Sequence, residues 1–225
     1  MDKPTESEML AQMKTYHDEV AKIVAEMQPQ IGNLPYPIQF VIAGDYLAMR
    51  RAQAEIKAGT MDPMRLYAVG SYARWDHAMW LLKNGYVDDA TFLPLIAETW
   101  RGADPDDTSH ENFSVWLKFW SLNGGSYIRD GGPLPRGEHG GFIRIFRGGR
   151  TPEEVTNGFA WTTNPKIADK FARGAGIRSD LPGGFIGQAR IHRGHVLAYI
   201  TGRGESEVIA DPYHVRDLKV GSRER

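Results

Sequence analysis

Residues 201–209 read TGRGESEVI, a glycine-rich turn followed by two glutamates and a β-branched pair. Val208 and Ile209 favour a strand, because β-branched side chains pack well on a pleated surface. If the strand begins at Glu205, its side chains alternate between faces, so Glu205 and Glu207 project to the same side. Two like charges side by side destabilise a strand unless a bound partner offsets them. The pair therefore predicts either a charged, solvated edge strand or a reactive site.

Composition places the chain among globular proteins. It has 225 residues, of which 41% are hydrophobic and 24% are charged, enough to bury a core. It contains no cysteine, which excludes disulfides and thiolate metal sites within the chain and suits cytosolic and exported proteins alike. The formal net charge of −1 provides no overall attraction to nucleic acid, although a local basic patch is compatible with that charge.

The N-terminus and the apolar runs bear on location. Residues 1–10 are charged and lack an apolar centre, so they do not predict a signal peptide. No apolar run approaches the roughly 20 residues of a membrane-spanning helix. We therefore expect a cytoplasmic protein with no membrane partner, and delivery into another cell is compatible with the same observations.

Two parts of the chain have different patterns, which predicts an α+β fold. Residues 1–124 read as helices with apolar residues at three- and four-residue spacing, and Thr5 with Glu8 forms a capping box at the start of the first helix. Residues 125–140 are rich in glycine and proline and predict a linker or long loop. Residues 141–225 read as short strands and glycine turns.

Two apolar runs in the second part predict neighbouring strands. They lie at residues 185–192 and 195–200, and Arg193 with Gly194 separates them. A two-residue connection that contains glycine is typical of a β-hairpin. We therefore expect these strands to pair with each other.

Two stretches upstream of the glutamates carry further polar groups. Residues 143–149 read IRIFRGG, so Arg147 ends a strand just before two glycines. An arginine there can present its guanidinium fork to a phosphate, or it can form a structural ion pair. Residues 158–163 read GFAWTT and predict a strand, and a short helix follows over residues 164–173.

The order and spacing of these stretches resemble the mono-ADP-ribosyltransferase family, in the branch whose motifs are an arginine, a Ser-Thr-Ser strand and a Glu-x-Glu. The resemblance covers residues 142–220. It aligns the family's arginine with Arg147, which precedes Gly148. It aligns the Ser-Thr-Ser strand with residues 161–163 and the Glu-x-Glu with residues 205–207.

The resemblance implies two facing, mostly antiparallel sheets around an NAD cleft, preceded in this chain by the helical domain. It implies that Arg147, Gly148 and the strand at residues 161–163 bind NAD, which serves as a substrate. It also implies that residues 173–184 cover the nicotinamide and the phosphates, and that residues 201–204 recognise the target.

Trp161 departs from the family pattern. In the family, the hydroxyl of the first serine helps to hold the nicotinamide ribose and the catalytic glutamate. An indole offers one donor and no acceptor, so Trp161 can stack on nicotinamide or pack in the core. Thr162 and Thr163 keep hydroxyl groups, to which the hydrogen-bonding role can have moved.

The chemistry of NAD cleavage gives each glutamate a role. Breaking the bond between ribose C1′ and nicotinamide passes through an oxocarbenium-like state, which a nearby carboxylate stabilises. We expect Glu207 to be that carboxylate and Glu205 to orient and deprotonate an arginine of a protein target. No metal is needed, and the sequence shows no cluster at metal-ligand spacing.

The predicted function is therefore mono-ADP-ribosylation of a protein, on arginine, with release of nicotinamide. Two alternatives stay open. One is an NAD glycohydrolase, in which water is the acceptor. The other is a binding or virion-type structural protein that carries a degenerate form of the fold.

Overall fold

The computed structural model describes residues 4–174 and 184–222. In these ranges the helices, in chain order, are α1 (Glu6–Glu26), α2 (Gln28–Ile31), α3 (Tyr36–Lys57), α4 (Ser71–Lys83), α5 (Asp89–Phe92), α6 (Ile96–Arg101), α7 (His110–Leu122), α8 (Pro152–Asn157) and α9 (Pro165–Ala172). The strands are β1 (Ile128–Asp130), β2 (Phe142–Gly149), β3 (Ala160–Thr162), β4 (Phe185–His192), β5 (Val196–Ile200), β6 (Glu207–Ala210) and β7 (Arg216–Ser222). The fold is mixed α and β, as expected. No helix in these ranges is both long and apolar enough to span a bilayer.

The chain forms two compact units, and their boundary lies upstream of the expected one at residue 124. The first unit runs to Asp88 and includes Gly102–Asp104, and the second contains Asp89–Arg101 and the chain from Pro105 onward. The helices α5, α6 and α7 thus belong with the sheet. The sequence pattern gave no sign of this, because a helix packed on a sheet has the same periodicity as one packed on helices.

The first unit contains α1 to α4. Its first helix begins with the predicted capping box, in which the Glu8 amide donates to the Thr5 hydroxyl and the Thr5 amide donates to the Glu8 carboxylate, at 3.3 and 2.7 Å. Helices α1 and α3 share a core that excludes water from one stripe of each. The buried members of that core are Val20, Ile23, Val24, Ala43 and Leu47.

One buried polar side chain in the first unit lacks hydrogen bonds. His77, on α4, has 0% exposure, and neither ring nitrogen has a hydrogen-bond partner among the described residues. Its nearest aromatic neighbour is Trp80, whose ring is stacked at a centroid distance of 6.0 Å. Burial lowers the pKa of His77, because the imidazolium form loses its hydration there.

The second unit is built on a sheet of seven strands, counted over the described residues, in the order β1-β5-β6-β3-β2-β4-β7. Only β1 and β5 are parallel. A single residue pair, Phe146 with Thr162, joins a first half (β1-β5-β6-β3) to a second half (β2-β4-β7). Two separate facing sheets were expected, and hydrogen bonding instead makes one sheet with a narrow seam.

Side chains from both halves of the sheet pack into one core. Burying apolar area of this kind is the main favourable term in folding, and here it stabilises the seam that hydrogen bonds hold at one point. The buried members are Leu134, Ile143, Ile145, Trp161, Ala189, Ile191, Val196, Tyr199, Val208 and Ala210.

The predicted hairpin between β4 and β5 was wrong. Strand β4 pairs with β2 and β7, whereas β5 pairs with β1 and β6. A two-residue hairpin needs positive φ angles in its turn, but Arg193–His195 forms a 3-10 turn and Gly194 has no positive φ. The chain therefore passes from one half of the sheet to the other at this point.

Candidate active site

The two glutamates do not share a strand. Strand β6 begins at Glu207, and Ser206 has a φ of 50°, in the left-handed region. This conformation is uncommon for a residue with a side chain, and it interrupts the alternation of faces on which the prediction depended. The expected common face, with Glu205 and Glu207 one strand repeat apart, was therefore wrong. Both side chains are partly buried.

Strand β3 holds the backbone of the glutamate pair. Thr162 lies opposite Glu207 in the β3–β6 ladder, and its hydroxyl donates to the Glu205 carbonyl at 2.5 Å. The same hydroxyl accepts from the Asn164 amide at 3.0 Å, and the Thr163 amide donates to the Ser206 carbonyl at 3.0 Å. Thr162 is 5% exposed. Its hydroxyl therefore makes hydrogen bonds within the protein, and the contact of Thr162 with a cofactor stays a prediction.

Glu207 is the titratable group of the pair whose environment is unusual. Its Oε1 accepts a hydrogen bond from the indole Nε1 of Trp100, on α6, at 3.0 Å. Burial raises the pKa of Glu207 to about 7, against the opposing effect of that hydrogen bond. The negative charges of Glu205 and Asp107 raise it further, and the positive charge of Arg203 lowers it. A carboxyl group whose pKa lies near 7 is typical of acid–base and charge-stabilising sites.

Arg147 forms an ion pair instead of an open phosphate-binding fork. Its two Nη atoms face the Asp107 carboxylate, with Nη2 at 2.9 Å from Oδ1 and Nη1 against Oδ2. Its Nε donates to the Glu154 carbonyl at 2.9 Å, and Nη1 also donates to the Ala160 carbonyl. The side chains of Arg147 and Asp107 are only 13% and 20% exposed. Of the two roles that the sequence left open, the structure shows the ion pair.

Two glycines make room for this arrangement. A Cβ on Gly158 would lie 2.1 Å from the Arg147 guanidinium carbon, so only glycine leaves space for the fork. A Cβ on Gly148 would lie 1.9 Å from the Ala168 carbonyl oxygen of α9. Gly148 thus allows α9 to lie against β2, and its contact with NAD stays a prediction.

Trp161 packs in the core of the second unit. It is 3% exposed, and its indole nitrogen has no hydrogen-bond partner among the described residues. Of the two positions that the sequence left open for Trp161, the structure shows packing in the core. Thr163 is partly exposed and lies beside the pair, so it keeps its place as a candidate contact. Most of residues 173–184, expected to cover the nicotinamide and phosphates, lies outside the described residues.

Two residues of this site were missed by the sequence analysis. Trp100 and Asp107 both precede the stretch that resembles a known family. Asp107 binds the start of β3 as well as Arg147, because its carboxylate accepts from the Ala160 amide at 3.2 Å. An inward arginine does predict an acidic partner, but nothing in the sequence pattern indicates which acid is near. No pattern marked Trp100.

Known proteins give no further guide to this site. Comparison of the chain with protein-family models, curated proteins and solved structures gave no match. The geometry around Glu207 is therefore the basis for assigning a function.

A second group of metal-ligand side chains lies at His195, Asp211 and His214. The two imidazoles are stacked, with centroids 3.5 Å apart and planes 12° apart, and His214 Nδ1 is 2.8 Å from Asp211 Oδ2. Lone pairs of ring nitrogens lie in the ring plane, so nearly parallel rings do not direct them at a common point. Burial, and then the neighbouring His214, lowers the pKa of His195. The group is consistent with an aspartate-paired histidine stack.

Proposed function

We propose that the chain is an NAD-dependent mono-ADP-ribosyltransferase that modifies arginine side chains of a protein and releases nicotinamide. The observation that supports it is the partly buried Glu207 carboxylate, with a pKa of about 7 and a single indole donor, close to the likewise partly buried Glu205. Buried carboxylates are costly unless they are fully paired, and those that are not are frequent in active sites.

The proposed reaction exchanges one C1′–N bond for another. The bond between ribose C1′ and the nicotinamide nitrogen breaks, and its electron pair stays with nicotinamide, which leaves neutral. The ionised Glu207 stabilises the positive charge that develops on the ribose. A guanidinium nitrogen then bonds to C1′ and releases a proton to Glu205.

Because Arg147 is held in an ion pair, this proposal needs another group to bind the NAD phosphates. Arg147 acts as part of the scaffold that joins β2 to the start of β3. Arg203 is exposed in the turn before the pair, and its charge already acts on Glu207. We assign the phosphate contact to Arg203, because its exposed guanidinium has no hydrogen bond or ion pair within the described part of the chain.

The test is to incubate the full chain with isotope-labelled NAD and an arginine-rich acceptor protein. Label on protein and free ADP-ribose are measured on the same sample, and mass spectrometry locates the modified residues. We expect ADP-ribose on arginine. Glu205→Gln should reduce transfer at least about 10-fold more than hydrolysis, because a guanidinium needs a base and water needs less help. Absence of both products from the wild-type chain would refute the proposal.

NAD hydrolysis is a second candidate, and the left-handed Ser206 favours it. A φ of 50° at Ser206 removes Glu205 from the strand that orients Glu207, so the two carboxylates need not act on one acceptor. Free ADP-ribose without protein label, unaffected by Glu205→Gln, would support this candidate. Absence of both products would instead favour a binding or structural protein with a degenerate form of the fold.

A further inference from the structure

Trp100 has a fixed position beside Glu207. It is 3% exposed, and its Nε1 lies 3.0 Å from Glu207 Oε1. The rings of Trp116 and Phe159 contact it, with centroid distances of 5.4 and 5.6 Å. Among the described side chains, Trp100 is the one that donates a hydrogen bond to this carboxylate. Packing against these two rings therefore restricts the direction of the indole N–H.

Neighbours of Glu207 in the sheet do not supply such a donor. Thr162, opposite it on β3, uses its hydroxyl for the Glu205 carbonyl and the Asn164 amide. Ile200, opposite it on β5, is aliphatic. Orientation of the carboxylate thus depends on a helix that lies outside the strand motifs.

We propose that Trp100 is the positioning residue for Glu207: its indole N–H holds one carboxylate oxygen and thereby directs the other toward the reacting carbon. This inference rests on the proposed function, since it assigns a role within the same site. A carboxylate that is already oriented stabilises developing charge without reorganising during the reaction. A donor to the carboxylate also favours its ionised form, which is the form that the reaction needs.

Other charges that face Glu207 set the baseline for a test. Glu205, just before β6, and Asp107, before α7, raise the pKa of Glu207, whereas Arg203 lowers it. A substitution at Trp100 leaves these three charges in place. A rise in the pKa of Glu207 then reports the lost hydrogen bond, because extra hydration beside the smaller phenyl ring would lower that pKa.

The test compares Trp100→Phe with a matched control in the full chain. Trp100→Phe keeps an aromatic ring and removes the N–H. The control is Trp120→Phe, because the indole nitrogen of Trp120 is buried and has no partner among the described residues. The pKa of Glu207 is read by NMR of ¹³C-labelled glutamate carboxyls, assigned with Glu207→Gln, and kcat and KM are measured for NAD cleavage.

The expected result separates positioning from packing. Trp100→Phe should raise the pKa of Glu207 by about one unit or more, since a hydrogen bond to a charged group is lost. It should lower kcat about 10-fold at pH 7 and leave KM for NAD within about twofold. Trp120→Phe should change neither quantity. If the wild-type chain cleaves NAD but Trp100→Phe changes neither the pKa of Glu207 nor kcat, the positioning role is overturned. The proposed function is then still supported.

A measurement on the wild-type chain covers the case in which Trp100→Phe does not fold. The indole ¹H–¹⁵N resonance of Trp100 should shift with the ionisation of Glu207, and the shift should disappear in Glu207→Gln. A resonance that does not respond overturns the inference. A wild-type chain in which the resonance responds but NAD is not cleaved refutes the proposed function, and with it the role of Trp100 in the reaction.

Discussion

Arg147 and Glu207 are two charged side chains of the same unit, and the structure treats them in opposite ways. Arg147 directs its guanidinium at the Asp107 carboxylate and at two backbone carbonyls. Glu207 receives one hydrogen bond from an indole, and burial raises its pKa to about 7. One residue has nearly all its hydrogen-bonding capacity used by the protein, and the other does not.

This contrast separates a charge whose hydrogen bonds are satisfied from one whose hydrogen bonds are not. A charged group with satisfied hydrogen bonds stabilises the fold around it and has little left to offer a ligand. A partly desolvated carboxylate with one donor is destabilising to the fold and available to a substrate. The sequence predicted Arg147 and Glu207 as members of one site, and the structure gives them opposite surroundings.

The largest effect that we expect is on catalysis. Glu207→Gln keeps the shape of the side chain and removes its charge, so NAD cleavage and transfer should both fall by about 10²-fold or more. Initial rates with labelled NAD measure this. Near-wild-type rates in a folded Glu207→Gln protein would break the comparison, because Glu207 would then be a buried group without a reactive role.

The next effect is on stability, at Arg147. Arg147→Lys keeps the charge but loses the fork, so the free energy of unfolding should fall by roughly 2–3 kcal/mol while KM for NAD in the folded variant is unchanged. Arg190→Lys is the matched control, since its pair with Asp217 is about half exposed and should contribute less than about 1 kcal/mol. Urea unfolding measures both. A raised KM without a change in stability would restore the phosphate-binding role.

A smaller gain in stability should accompany the loss of activity in Glu207→Gln. The folded pKa of about 7 is above the ordinary value of 4.5, so the folded chain binds the proton more tightly, and wild-type stability falls as pH rises from 4.5 to 7. Glutamine does not titrate, so Glu207→Gln lacks this pH dependence. Because Glu207 is partly exposed, we expect less than the full free-energy difference that the two pKa values imply. We expect Glu207→Gln to be about 1–2 kcal/mol more stable at pH 8 and no more stable at pH 4.

The smallest effect concerns His77, which tests whether lack of partners alone marks a functional site. Its lowered pKa means that the unfolded chain binds the proton more tightly, so stability should fall as pH drops below about 6.5. His77→Leu should reduce this acid loss, by at most about 1 kcal/mol between pH 6.5 and 5.5, and leave NAD cleavage unchanged. Thermal unfolding at several pH values measures the change in stability. A loss of NAD cleavage in His77→Leu would show that His77 is also needed for activity.

Local patterns in the sequence predicted local structure well. The capping box at Thr5 and the bounds of β4 were confirmed, because each depends on residues close together in the chain. The hairpin at Gly194 was wrong because strand pairing depends on distant partners. The common face of the glutamates was wrong because the left-handed φ of Ser206 leaves no mark on composition.

The sequence pattern could not predict which residues contact Glu207 and Arg147, and there is a physical reason for this. Trp100 donates to Glu207 across 107 positions of the chain, and Asp107 pairs with Arg147 across 40. Residues at such separations meet only when the whole unit has folded. Periodicity and spacing report on neighbours within a helix or a strand, so they drew attention to the glutamate pair and could not identify the groups that contact it.

The narrow seam in the sheet has a consequence for how such a gene can change. The first half uses β1, β3, β5 and β6, and the second uses β2, β4 and β7, so the chain alternates between them. Any single break between β1 and β7 therefore divides the strands of at least one half. Neither half can be gained by gene fusion or shed by truncation as a module of its own. The described strands can pass from one genome to another only as a single block, and a premature stop codon anywhere before β7 leaves that block incomplete.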